Sequence, residues 1–462
     1  MRFVSLCVVL LLLTGCSPSG PDEAAQDGEA NAAEAGEQPG ETVELRRSLE
    51  AASIVDATSG SPSESSVAAS RALFVTAPSV VLAPAGDRSA VDEAAQAATQ
   101  TGVPLLLLDE AGPSGSSPDD AASTSSGADD GTEAAFEEIE RLEAQHVLMV
   151  GADTATTLSS ALDVDVASSR DDLPTLEKVD GLSDVSVLVL DGDEAAPATT
   201  AATRATAEAA GARVLSTTDA DIRVDPDVVT ALAEASPEHV VGLSTQFGPA
   251  EQLASRAELA KTGVQLPGGG QALFPGRRLI ALYGTPGTAS LGVLGEQDLD
   301  ESVQRAKEVA VEYEPFSDVP TVPTMEIIAT IAQGDAGADG DYSGEISTEQ
   351  LRPWVEQAGE EGVYVVLDLQ PGRANFLDQA KIYEELLRMP HVGLALDPEW
   401  RLAPGEEPLG QIGHVEADEV NSVITWLADL TAQENLPQKL LVLHQFRVSM
   451  LPDSQTYDLG LR

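Results

Sequence analysis

The 462-residue chain carries two cysteines, and only 25 lysines and arginines stand against 77 acidic residues. Aromatic residues make up 4% of it. The shortage of basic residues excludes nucleic acid as a partner, because phosphate contacts need Lys/Arg clusters and none occurs. A formal charge of −52 also disfavours direct adhesion to anionic lipid headgroups. It favours solubility, and repulsion from polyanions unless divalent cations bridge them. No segment beyond the first twenty residues is long and apolar enough to span a bilayer. No phosphate-cradling glycine loop follows an apolar strand, and no cofactor is expected. What is present is length for two or three domains at roughly 150 residues each, with 42% hydrophobic residues to fill more than one core.

Arg2 gives a short positive start, followed by an apolar run from Phe3 to Leu13. Such a run is too short to cross a membrane but suits a signal peptide. Leu13-Thr14-Gly15-Cys16 then resembles a bacterial lipobox, in which small residues admit the peptidase and the cysteine thiol receives diacylglycerol. The alternative is an ordinary secretory signal with an incidental cysteine. The resemblance implies a lipoprotein signal over residues 1–16, lipidation at Cys16, and anchoring to the outer face of the cell membrane. Cys7 then leaves with the signal, so no thiol remains for a disulfide or a cysteine metal site. Residues 17–45, rich in Ala, Gly, Glu and Pro, read as a disordered acidic tether, with a helix start around Val43 to Ala52. Gly112 to Gly131, made of Ser, Gly, Ala and Asp, reads as a floppy surface loop.

All three tryptophans and all six tyrosines lie after residue 280, and the earlier chain is Ala/Val/Leu/Asp-rich. A domain boundary is expected there, with 267–276 as linker around Leu266-Pro267-Gly268-Gly269-Gly270. Residues 46–266 repeat themselves. Val80 to Asp87, an Ala-rich helix (Ala90 to Gln100) and Val103 to Leu108 are echoed by Val185 to Asp193, a helix to Ala210, and Ala212 to Ser216. Each copy adds a helix and a strand opened by histidine, His146 to Gly151 and His239 to Gly242. Continuous apolar strands alternating with helices predict a duplicated, mainly parallel α/β sheet covered on both faces. Asp87, Asp109, Asp191 and Asp193 fall where parallel strands end, a place for ligands, or simply for helix caps. The two histidines occupy equivalent strand starts and read as structural. On Gly86-Asp87, Gly102-Val103-Pro104 into Leu105 to Leu108, and Val147 to Gly151, this half resembles the bacterial cell-wall-binding repeat. It carries about two copies where three are usual and lacks that family's Arg-rich opening. The resemblance implies association with envelope polymers.

From residue 277 the pattern becomes strand, loop, helix. Strands are predicted over Leu279 to Gly284, Met325 to Ala332, Val363 to Leu369, Val392 to Leu396 and Leu440 to Leu443. Helices are predicted over Glu301 to Tyr313, Thr348 to Glu360, Phe376 to Leu387 and Ala417 to Leu430. Each strand carries polar or aromatic residues at its end or, for Glu326, inside it: Tyr283, Glu326 in the second strand, Asp368 with Gln370, Asp397 with Glu399 and Trp400, and His444 with Gln445. In a (β/α)₈ barrel that rim carries the site. Five strands cannot close such a barrel, since strand number, tilt and shear are linked. The expectation over 277–462 is therefore a partial (β/α)₈ barrel lacking its last strands. It is either a C-terminally truncated copy or one whose remaining strands come from elsewhere; a five-stranded open sheet competes.

Tyr283-Gly284-Thr285-Pro286-Gly287, Pro323-Thr324-Met325-Glu326, Leu367-Asp368-Leu369-Gln370-Pro371-Gly372-Arg373, Ala395-Leu396-Asp397-Pro398-Glu399-Trp400 and Leu443-His444-Gln445-Phe446 together resemble the TIM-barrel domain of actinobacterial surface lipoproteins, similar in layout to glycoside hydrolases. The chemistry that this implies needs two carboxylates, one protonated as acid and one ionised. Asp397 and Glu399, two apart and about 6.5 Å from each other if extended, are candidates, with Glu326 or Asp368 as the second carboxylate; a capped turn at Asp397-Pro398-Glu399 is the alternative. Tyr283, Gln370, Trp400, His444 and Gln445 are candidate ligand-binding residues, Trp400 by stacking on a sugar face. Glu326, Asp368, Asp397 and His444 are of metal-ligand type, but no His-x-x-Glu-His-like spacing supports a site and no metal is assigned. A Ser/His/Asp triad lacks its Gly-x-Ser-x-Gly elbow. The leading expectation is a lipid-anchored envelope protein binding cell-wall polymers or glycans. A polysaccharide-processing hydrolase and a purely structural surface lipoprotein are the rivals.

Overall fold

The computed structural model describes residues 41–458 apart from 59, 110–128, 152–161, 178 and 192–196, with the backbone alone over 129–132. Cys16, the tether through residue 40, Asp193 and most of the 112–131 stretch lie outside the described residues; 129–131 open a helix, Asp129–Arg141. Glu41–Arg462 forms one compact unit.

The first ten described strands are β1 (Glu44–Leu45), β2 (Ala52–Ile54), β3 (Phe74–Thr76), β4 (Ser79–Pro84), β5 (Leu105–Leu108), β6 (His146–Met149), β7 (Asp165–Ala167), β8 (Val185–Leu190), β9 (Arg213–Thr217) and β10 (His239–Gly242). Where a helix start was expected around Val43, the chain forms β1 and β2 instead. Val43 and Leu45 are buried with Glu44 exposed between them, a period of two that suits a strand. β1 pairs antiparallel with β3. The others build two four-stranded parallel sheets, ordered β5-β4-β6-β7 and β2-β10-β8-β9. Both sheets repeat one order, with β4 and β8 equivalent, so the duplication expected from the sequence is present. In the second sheet the place that β7 takes in the first is filled by β2, from ahead of the first copy.

Local chemistry explains the elements. Asp87 caps helix Arg88–Thr101 by accepting the Ala90 N–H at 3.1 Å, and Gly102, at φ 74°, ends it. Asp109 accepts the Ser63 N–H at 3.1 Å, at the start of helix Pro62–Leu73, and Asp191 pairs with Arg204 at 3.2 Å. His146 faces Glu41 at 3.4 Å and His239 Nδ1 meets the Glu50 carbonyl at 3.0 Å, so both histidines tie the N-terminal segment to a sheet. The copies meet through helices Pro62–Leu73, Arg88–Thr101 and Pro197–Ala209, whose buried Ala69, Ala94, Ala98, Ala202 and Ala205 allow close approach.

The second part contains β11 (Arg278–Gly284), β12 (Thr321–Ala332), β13 (Ser343–Glu345), β14 (Tyr364–Leu369), β15 (Val392–Leu396) and β16 (Leu441–Leu443). The order β11-β12-β14-β15-β16 is parallel throughout and follows the chain. Unidirectional order with helical crossovers is the barrel arrangement, and the sheet curls as a half-barrel. β13 adds an antiparallel strand to the end of β12. One face packs Leu282, Met325, Ile327, Val365, Leu367 and Leu394 against the helices. The other buries Val322, Tyr364, Val366 and Ala395 against Leu266 and Leu273, so the glycine-rich stretch between the sequence halves is packed. Arg277 locks that stretch by donating to the Leu273 and Ala272 carbonyls at 3.1 and 2.9 Å.

Tyr364, 1% exposed, accepts the Leu440 N–H at 3.1 Å and so ties β14 to the start of β16. Tyr364→Phe strands that amide and lowers stability by about 1 kcal/mol. The expected readout is a lower urea midpoint at unchanged slope; an unmoved midpoint contradicts the tie.

Candidate functional site

Strand alternation decides which side chains meet. Tyr283 lies opposite Glu326, and Glu326 opposite Val366. Asp368 is two residues beyond Val366 and opposite Ala395; Asp397 is two beyond Ala395, and Val442, opposite Ala395, is two before His444. In register, parallel neighbours share a face, and residues two apart on one strand do too. Tyr283, Glu326, Asp368, Asp397 and His444 therefore all project from the concave face, above the apolar layer of Val322, Tyr364, Val366 and Ala395.

The contacts bear this out. The Tyr283 hydroxyl donates to Asp368 Oδ2 at 2.8 Å. His444 Nε2 lies 2.6 Å from Glu326 Oε1 and 3.9 Å from Asp368 Oδ1. The Tyr283 and His444 rings meet edge-on, with centroids 6.4 Å apart. Asp368 is fully enclosed, and its Oδ1 has no hydrogen-bond partner. Asp397 is also buried. Tyr283, at 37% exposure, opens the cluster to solvent.

The electrostatics follow from crowding acidic groups at a partly desolvated mouth. Burial, reinforced by Asp397 and Glu326 and opposed by His444 and the Tyr283 hydroxyl, pushes Asp368 up to about 8. Burial, with Glu399 as nearest charge, lifts Asp397 to about 6. The hydrogen bond with Glu326, against burial, raises His444 to about 9. Burial and the Asp368 carboxylate push the Tyr283 phenol far above its ordinary value.

The other expected residues take different places. Glu399 and Trp400 sit on the short 3₁₀ turn Pro398–Trp400 after β15, both partly exposed, and the Glu399 charge acts on Asp397. The Trp400 indole Nε1 is buried without a partner. Gln370 turns away to brace the backbone, accepting the Ala332 N–H at 3.0 Å. Gln445 is exposed beyond β16. Tyr342, which the sequence reading passed over inside a Gly/Asp-rich loop, stacks under the Arg373 guanidinium at 4.5 Å. A groove of about 610 Å³ lies elsewhere, between helices Arg88–Thr101 and Pro197–Ala209, lined by Gln96, Thr99, Arg204 and Glu208. There Arg204 pairs with Asp191 at 3.2 Å.

A carboxylate raised by folding binds its proton more tightly in the native state, so stability falls as pH rises from its unfolded value near 4 towards 8. In chelator, Asp368→Asn is expected to remove that fall, gaining about 4 kcal/mol on wild type between pH 5 and pH 9. Parallel stability–pH curves for the two proteins would sink this account of Asp368.

No family model matches the chain, and no curated protein matches it. Among solved structures it is similar to Cwp6 from Clostridium difficile, at 12% identity, over 68% of this chain and 62% of that one, with a TM-score of 0.33. A superposition that loose transfers neither fold nor function.

Proposed function

We propose that this is a lipid-anchored cell-envelope protein whose half-barrel mouth binds a cell-wall glycan, with the duplicated α/β half associating with wall polymers. In this reading residues 1–16 are the signal ending at Cys16, 17–40 the tether, which gives way to the folded chain before β1, and 267–276 the joint between the two binding parts. Among the described residues no helix is long and apolar enough to cross a membrane, so attachment rests on the lipid at Cys16. The observation that carries the reading is the convergence of Tyr283, Glu326, Asp368, Asp397 and His444 on one concave face. Carboxylates accept hydrogen bonds from sugar hydroxyls, and the faces of Tyr283 and Trp400 offer apolar platforms of the kind sugar rings cover.

One feature favours hydrolysis as a second reading. Asp397, Glu399 and Asp368 at the C-terminal ends of barrel strands, with Glu326 inside β12, bring several carboxylates together, the donor set that glycoside cleavage uses. Glu399 is partly exposed and Asp397 buried, so they are the pair assigned to acid and base there.

The test uses the full chain with purified cell walls. Wild type is expected to be retained, and Trp400→Ala and Asp397→Asn to weaken retention about tenfold each, the equivalent of roughly 1.4 kcal/mol. Release of reducing ends that Glu399→Gln abolishes, with retention intact, supports the hydrolytic reading. No retention of wild type by walls or by solubilised wall glycan removes the glycan proposal altogether.

A further inference from the structure

We propose that Glu326, Asp368 and His444 form a binding site for one divalent first-row transition-metal ion. β12 and β14 supply Glu326 and Asp368, His444 directly follows β16, and each offers a ligand atom within 4.8 Å of the other two. The cluster alone is an acidic patch; the state of Asp368 makes it a site. This carboxylate is entirely enclosed, and its Oδ1 faces the cluster without any hydrogen-bond partner. A buried acceptor left empty is destabilising unless something fills it. His444 does not fill it, since Nε2 goes to Glu326 at 2.6 Å and stays 3.9 Å from Oδ1. A cation placed among the three satisfies Oδ1 and offsets the excess of carboxylates over the single imidazole.

The donor set narrows the ion. Two carboxylates and one imidazole suit zinc, cobalt or manganese, whereas calcium and magnesium prefer oxygen throughout. Ligating carboxylates are commonly held by an outer hydrogen bond, and the Tyr283 hydroxyl does this for Asp368 by engaging Oδ2 at 2.8 Å, leaving Oδ1 for the ion. Three protein donors leave coordination positions for water or a ligand oxygen. The proposal stands apart from the glycan reading, because metal binding is read with no glycan present.

The experiment titrates the chelator-stripped full chain with Co²⁺, followed by visible absorption, and with Zn²⁺ in competition with a chromophoric chelator. One saturable site per chain is expected, with affinity at least tenfold weaker in Asp368→Asn and in His444→Gln. Asp339→Asn, in the exposed Asp339/Asp341/Glu345 group, is expected to leave that site unchanged. Zn²⁺ is also expected to raise the melting temperature of wild type but not of Asp368→Asn, a comparison restricted to variants with native circular dichroism. Absence of a saturable site in folded wild type overturns the proposal, as does a site that both ligand variants leave intact. Metal binding without wall retention removes only the glycan reading.

Discussion

A parallel strand sends alternate side chains to opposite faces, and in the half-barrel that alternation is in phase across five neighbouring strands as far as Asp368, beyond which the pairing of β12 with β14 shifts register between Ile328 and Thr330. The candidate site depends on this phase. A slip of one residue in β14 moves Asp368 into the helix-covered layer, turns Leu367 and Leu369 out of it, and parts Asp368 from Tyr283 and His444. The phase is held by the apolar positions one step below the mouth, Val322, Tyr364, Val366 and Ala395, and by the packed segment carrying Leu266 and Leu273. The layer that stabilises the sheet and the layer that carries the candidate site lie two to four residues apart on the same strands.

The mouth crowds buried acidic groups in a way that the duplicated half does not. There the buried Glu138 is satisfied by Ser70, Arg71 and Arg141. At the rim, by contrast, Asp368 is buried with one oxygen unpaired and shares its surroundings with Asp397 and Glu326. Arg277 and Lys439 spend their charge on backbone carbonyls near the base of the sheet, leaving His444 as the cationic group set against these carboxylates. Such departures from local stability concentrate where a ligand or ion completes the structure.

Much of this was readable from residue pattern. β10 and β15 fall where the apolar runs place them, and helix Thr348–Glu360 begins at Ser347, whose hydroxyl accepts the Gln350 N–H. The polar residues at strand ends were legible as a group because strand direction puts them at one rim. Their partners were not. That His444 reaches back to Glu326, 118 positions earlier, depends on the curl of the sheet, which no periodicity encodes. The place of Gln370 is hidden for a related reason: next to Pro371 the backbone turns, and its side chain closes the end of β12. β2, β7 and β13 escaped notice because three residues are too few to show alternation.

The most direct test of the convergence is the ionisation of His444, followed by ¹⁵N-histidine NMR in chelator and assigned with His444→Gln. With Glu326 against its Nε2, the imidazole is expected to titrate near 9 and to fall by at least one unit in Glu326→Gln. A wild-type imidazole that titrates at its ordinary value near 6.5, unmoved by Glu326→Gln, would mean that these strands do not deliver their side chains to a common mouth.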